Sequence, residues 1–145
     1  MIARRLWRGL RRNETGVATI EFAIIGPAMI VMLFGVIQVG IALQNYNALR
    51  NVSADVARYA MIQYATGNKL SNDQMTDYAE TVAQNAPYLL TSTTLVTVTN
   101  VATPQITGAQ EKTLTIQYKI PSVLGSMGLE GPTISYSRPM FLTKT

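Results

Sequence analysis

The stretch Phe22–Leu43, FAIIGPAMIVMLFGVIQVGIAL, decides the architecture: it runs for 22 residues without a charge and with one amide, Gln38. A helix crossing the hydrocarbon of a bilayer needs about 20 apolar residues, and this run supplies them. Pro27, Gly35 and Gly40 would weaken a helix in water, but membrane helices tolerate them, with a local kink expected at Pro27. Upstream, residues 1–16 hold Arg4, Arg5, Arg8, Arg11 and Arg12 against one acid, Glu14. Residues 17–145 carry seven basic and seven acidic residues, so the net charge of +4 belongs to this leader. Arginines ahead of an apolar run are an orientation signal: they keep the N-terminus in the cytoplasm and send the C-terminal part across.

Composition excludes much else. The chain has 145 residues, no His and no Cys. That length allows one modest domain with an attached element. Without His or Cys there is no thiolate site, no His base and none of the usual zinc ligand sets. No disulfide can staple the fold, so packing must hold it. No phosphate-cradling G-x-x-x-x-G-K or G-x-G-x-x-G pattern occurs. A Ser-Lys pair is the only catalytic arrangement the composition leaves, with Lys69, Lys112 and Lys119 as its lysines. A nucleic-acid binder would need a basic face on its folded part, which a neutral 17–145 does not provide. No enzyme, cofactor, metal or nucleic-acid partner is expected.

Glu21 is the residue that does not fit a plain anchor. It opens the apolar run, where an unpaired carboxylate is costly unless it stays at the headgroup boundary. Gly16 lies five residues earlier, directly after the basic arm. Cleavage after Gly16 would make Val17 the new N-terminus and Glu21 the fifth residue of the mature chain. The Glu21 carboxylate could then pair with the free amine of a neighbouring subunit, relieving its desolvation and setting the axial register. A secretory signal is the competing reading; its best cut site, Gly40-Ile41-Ala42, lies inside the apolar stretch.

This arrangement of a short basic leader, Gly16, four residues, Glu21 and an unbroken apolar helix resembles the class III (type IV) prepilin signal. The wider stretch resembles the TadE-like pseudopilins of tight-adherence (Flp-type) pilus systems. The matching residues are Gly16, Glu21-Phe22-Ala23, Pro27 and Leu33-Phe34-Gly35, then Gln44-Asn45, Leu49 and Ala57-Arg58-Tyr59-Ala60. The tail Pro121–Gly125 through Gly128-Leu129, followed by Thr133–Ser137, is similar to the family's usual ending. Gly26 departs from the pattern, standing where a bulky apolar residue is more usual. The resemblance implies cleavage between Gly16 and Val17 by a prepilin peptidase and subunit docking through Glu21. It also implies a minor, pilus-assembly role at the bacterial inner membrane, with the C-terminal domain periplasmic. The implied partners are the peptidase, other pilins or pseudopilins, the inner-membrane assembly platform and membrane lipid. The alternative is an uncleaved single-pass anchor carrying a periplasmic interaction domain.

Beyond Leu43 the helical pattern continues through Tyr46, Leu49, Val52, Val56 and Tyr59 at spacings of three and four, predicting one helix to about Tyr64. Asp55 and Arg58 on it are placed to pair. Ser71-Asn72-Asp73-Gln74 reads as a capping box opening a second helix that ends at Pro87 and buries Met75, Tyr78, Ala79, Val82 and Ala86. Asp73, Asp77 and Glu80 read as its solvated face. Thr94–Thr99 and Thr113–Ile120 alternate as strands, with turn chemistry at Thr103-Pro104 and Gly108-Ala109-Gln110. A third strand is expected over Thr133–Ser137 and Met140–Thr143, interrupted at Arg138-Pro139 and at a sheet edge. The loop Pro121–Pro132 should tuck Val123, Leu124, Met127 and Leu129 onto the core. The expected fold is α+β and type IV pilin-like: leader 1–16, long helix 17–65 crossing the membrane at about 22–43, and a small domain 66–145. That domain pairs a second helix with a three-stranded antiparallel sheet packed on the outer half of the long helix.

Overall fold

The computed structural model describes residues 15–90, 94–125 and 128–143. The leader arginines Arg4, Arg5, Arg8, Arg11 and Arg12 lie outside the described residues, as does Met127. The element order is α1 (Thr15–Ala65), α2 (Asn72–Gln84), β1 (Thr94–Asn100), β2 (Ala109–Lys119) and β3 (Thr133–Thr143). The chain divides into two units at Gln38/Val39, so α1 contributes to both. The α+β architecture read from the sequence is the one observed.

In the first unit α1 presents an apolar surface with no protein cover: Ile20, Phe22, Ile24, Met29, Met32 and Val36 are all exposed. Among the described residues α1 is the one helix long and apolar enough to cross a membrane. The helix continues through Pro27. A proline there leaves the carbonyl four residues back without its helical donor, a loss that lipid-facing helices accommodate by local adjustment.

In the second unit the same helix changes chemistry. Leu49, Val52, Val56, Ala57, Ala60 and Tyr64 are buried, following the three-and-four spacing that puts a stripe on one helix face. Tyr46 and Tyr59, expected on that stripe, flank it instead: Tyr46 is exposed and Tyr59 is half-buried. The helix stops at a left-handed glycine. Gly67 has φ +83°, its N–H bonds the Tyr64 carbonyl at 3.1 Å, and the Asn68 N–H bonds the Gln63 carbonyl at 2.9 Å. This paired closure satisfies end-of-helix carbonyls and requires a residue free of the Cβ penalty.

The capping box at α2 forms as expected, with Gln74 N–H donating to Ser71 Oγ at 3.1 Å and Ser71 N–H donating to Gln74 Oε1 at 2.9 Å. Met75, Ala79 and Ala83 are the buried residues of α2. Ala86 is exposed because the helix ends at Gln84, capped by Asn85, two residues earlier than the proline alone implied.

The sheet is antiparallel in the order β1-β2-β3. Val96, Val98, Leu114, Ile116, Tyr118, Met140 and Leu142 alternate onto the face that shares a core with α1 and α2. Burying each such side chain contributes roughly 1.5–3 kcal/mol. β2 begins at Ala109, so Ala109 and Gln110 belong to the ladder, opposite Thr143 and Leu142, and not to the turn. β3 is at an edge, as expected, but runs unbroken through Arg138 and Pro139, with Pro139 opposite Thr113. An edge strand leaves alternate N–H groups unused, so a proline costs no ladder bond on its open side.

Among the described residues two charged side chains are buried. Glu111 sits under the β1–β2 loop and accepts the Gln105 N–H at 2.7 Å. Lys112 points inward and donates to the Leu70 carbonyl at 3.2 Å and to Asn72 Oδ1 at 2.8 Å, tying the central strand to the connection between the helices. Asp55 does not pair with Arg58; it accepts the Tyr88 hydroxyl at 2.7 Å. The ion pair among the described residues is Lys119–Glu130, at 2.7 Å and exposed to solvent. The 121–132 loop leaves Val123 and Leu129 exposed, contrary to the expectation that it tucks inward. The backbone at its base is held instead: Ile120 N–H bonds the Pro132 carbonyl, and the Gly131 Cα approaches the Ile120 carbonyl too closely to admit a Cβ.

Candidate functional site

Gly16, Val17 and Glu21 lie in the opening turns of α1, and all three are exposed. Residues four apart on a helix stand about 40° apart around the axis, so Val17 and Glu21 share one face, one turn apart. Among the described residues, a Cβ placed on Gly16 would meet no atom within 4 Å. The fold therefore sets no limit on the side chain at this position. A glycine within a helix costs about 1 kcal/mol relative to alanine, and nothing among the described residues accounts for it.

Glu21 makes no hydrogen bond or ion pair among the described residues. Its neighbours Ile20, Phe22, Ile24 and Ile25 form an exposed apolar sleeve around it. Once that sleeve is covered by lipid or by other helices, a lone carboxylate requires a positive partner. No basic side chain occurs between Thr15 and Leu49. The orientation arginines lie outside the described residues.

Among the described residues no group of three acidic side chains stands close enough to hold a metal ion. Asp73 and Asp77 face solvent on α2. Lys112 and Lys119 are engaged by Leu70, Asn72 and Glu130, and no lysine is bonded to a hydroxyl group among the described residues.

The second unit carries a polar cleft of about 310 Å³ between α1 and the edge strand β3, lined by Asn47, Arg50, Asn51, Ala54, Tyr136 and Arg138. Tyr46 packs edge-on against Tyr136, their ring centres 5.8 Å apart, beside this cleft. Sequence reasoning missed the cleft because Arg138, next to Pro139, read as a strand break. The polar positions Asn47, Arg50 and Asn51 between the apolar residues of the helix were legible, but what they face was not.

Residues 16–58 match the family model described as TadE-like protein. No curated protein and no solved structure matches the chain.

Proposed function

We propose that this chain, whose residues 16–58 match the TadE-like family, serves as a minor pilin or pseudopilin of a tight-adherence pilus system. A prepilin peptidase cuts between Gly16 and Val17. The mature helix stays in the inner membrane with its C-terminal domain in the periplasm. There it supports pilus assembly and, through the pilus, adhesion and biofilm formation. The role is structural and not catalytic.

The observation that carries this reading is the placement of Val17 and Glu21 on one face of an exposed apolar helix, with Glu21 lacking a partner among the described residues. Cleavage supplies an ammonium at Val17. The same step puts that cation at a helix N-terminus, where the helix dipole makes a positive charge unfavourable and a neighbour's carboxylate welcome. Pairing Glu21 with a neighbouring subunit's amine removes both costs and fixes how far one helix slides along the next. The family match begins at Gly16, on the residue before the proposed cut.

The test is complementation. In a strain lacking this chain, the parent sequence should restore pili and surface attachment. Glu21→Ala should be processed and inserted as well as the parent yet fail to restore either. Normal pili and attachment with Glu21→Ala would remove docking through Glu21. Restoration by a chain that retains its leader would favour an uncleaved anchor.

A further inference from the structure

The folded unit beyond Gln38 is nearly neutral in sum, with seven basic residues against six acidic ones, but divided in space. On one flank Arg50 and Arg138 line the α1–β3 cleft, and among the described residues neither guanidinium has a hydrogen-bond or ion-pair partner. Asn47 and Asn51 add amide donors to the same wall. Asp73, Asp77 and Glu80 on α2 stand at spacings of four and three, on a side away from the buried Met75, Ala79 and Ala83; Asp73 and Asp77 are exposed and Glu80, expected with them in solvent, is half-buried. None of these three acids is in an ion pair among the described residues.

The two surfaces cannot meet within one molecule. α2 packs beside β1, whereas the cleft lies beside β3, and β1 and β3 are the two outer strands. Their dimensions correspond. From 73 to 80 along α2 is about 10 Å, as is the stretch from 47 to 54 along α1. The cleft's 310 Å³ admits side-chain heads and not a helix.

We propose that the acidic stripe of α2 in one copy docks its carboxylates into the Arg50–Arg138 cleft of a second copy. Two guanidiniums offer forked donors that suit carboxylates better than any other side chain does. Because donor and acceptor surfaces sit beside opposite sheet edges, the contact is head-to-tail. Repeating it leaves one free cleft and one free stripe, so it extends into a row unless its rotation closes a ring. This contact lies between the folded domains. It goes beyond the role proposed for the N-terminal helix and does not depend on cleavage.

The experiment uses the full chain in detergent micelles, with association measured by sedimentation equilibrium. Arg50→Glu/Arg138→Glu reverses the cleft, and Asp77→Lys/Glu80→Lys reverses the stripe. Each variant alone should associate about tenfold more weakly than the parent, because like charges then face each other. An equimolar mixture should recover the parent's association, since each reversed surface finds its complement on the other variant. Recovery also shows that both variants fold. Raising salt should weaken the parent's association as the screening length shortens. A parent that stays monomeric, single variants that associate like the parent, or a mixture no better than its components would each overturn the proposal. The proposed role of Glu21 and Gly16 would stand in any of these cases.

Discussion

Lys112 donates to the carbonyl oxygen of Leu70, 42 residues earlier in the chain, at 3.2 Å. The same carbonyl accepts the Tyr64 hydroxyl at 3.1 Å. Together with Asn72, these groups join the end of α1, the start of α2 and the central strand at one point. Because the ammonium is buried, its acceptors matter more than the cation itself. Asn72→Ala should destabilise the fold by about 2 kcal/mol in denaturant unfolding. Lys112→Met in the same chain should recover most of that loss, because the cation left short of an acceptor is gone. A loss unchanged by Lys112→Met would show that the ammonium is not part of the clasp.

The base of the 121–132 loop offers a backbone test. The Gly131 Cα sits against the Ile120 carbonyl, and a Cβ has no room there. Gly131→Ala must shift the backbone and strain the Ile120–Pro132 hydrogen bond, at a cost of about 1–3 kcal/mol. Gly16→Ala, with open space around it, should leave stability unchanged or slightly raised. Thermal unfolding of the two variants distinguishes them, and equal midpoints would contradict the crowding.

Tyr88 donates to Asp55, which holds its hydroxyl pKa above the ordinary 10.0, chiefly through that hydrogen bond and to a lesser extent through partial burial and the carboxylate's charge. A raised folded-state pKa means the stabilisation is present below about pH 10 and is lost as pH rises through the folded value. The group is largely wet, so the effect on stability is small. Phenolate absorbance, taken as the difference between the parent and Tyr88→Phe, should show late ionisation. Asp55→Asn should shift that ionisation back toward the ordinary value; no shift would mean the contact does not persist in solution.

Elements governed by local rules were legible in the sequence. The Ser71–Gln74 capping box, the end of α1 near Tyr64 and the alternation of Leu114, Ile116 and Tyr118 are each decided within a few residues. Pairings across the fold were not. Asp55 stands three residues from Arg58 but bonds Tyr88, 33 positions away, because the chain after α2 returns to α1. Nothing near Lys112 in sequence announces that Leu70 and Asn72 will receive it. Arg138 joins Arg50 only because β3 runs unbroken past Pro139 at a sheet edge. At the N-terminal site, the Gly16–Glu21 spacing was visible from the start. What the structure adds is the open space at Gly16 and the uncovered sleeve around Glu21.

Gly16 separates the demands of folding from those of processing. No described residue crowds Gly16, so Gly16→Trp should fold and insert normally. The same variant should retain its leader, because a peptidase that recognises a small residue before the cut has no room for an indole. Electrophoretic mobility of membrane fractions reads the difference of 16 residues directly. Full maturation of Gly16→Trp would show that the glycine is not what the peptidase recognises.

The central claim is that the working molecule begins at Val17, so that a new ammonium stands one helical turn from Glu21. Intact mass spectrometry of the chain purified from membranes of cells that contain the peptidase tests it most directly. The account requires a mature N-terminus at Val17, with the leader arginines removed. A population that still begins at Met1 in cells making functional pili would contradict it.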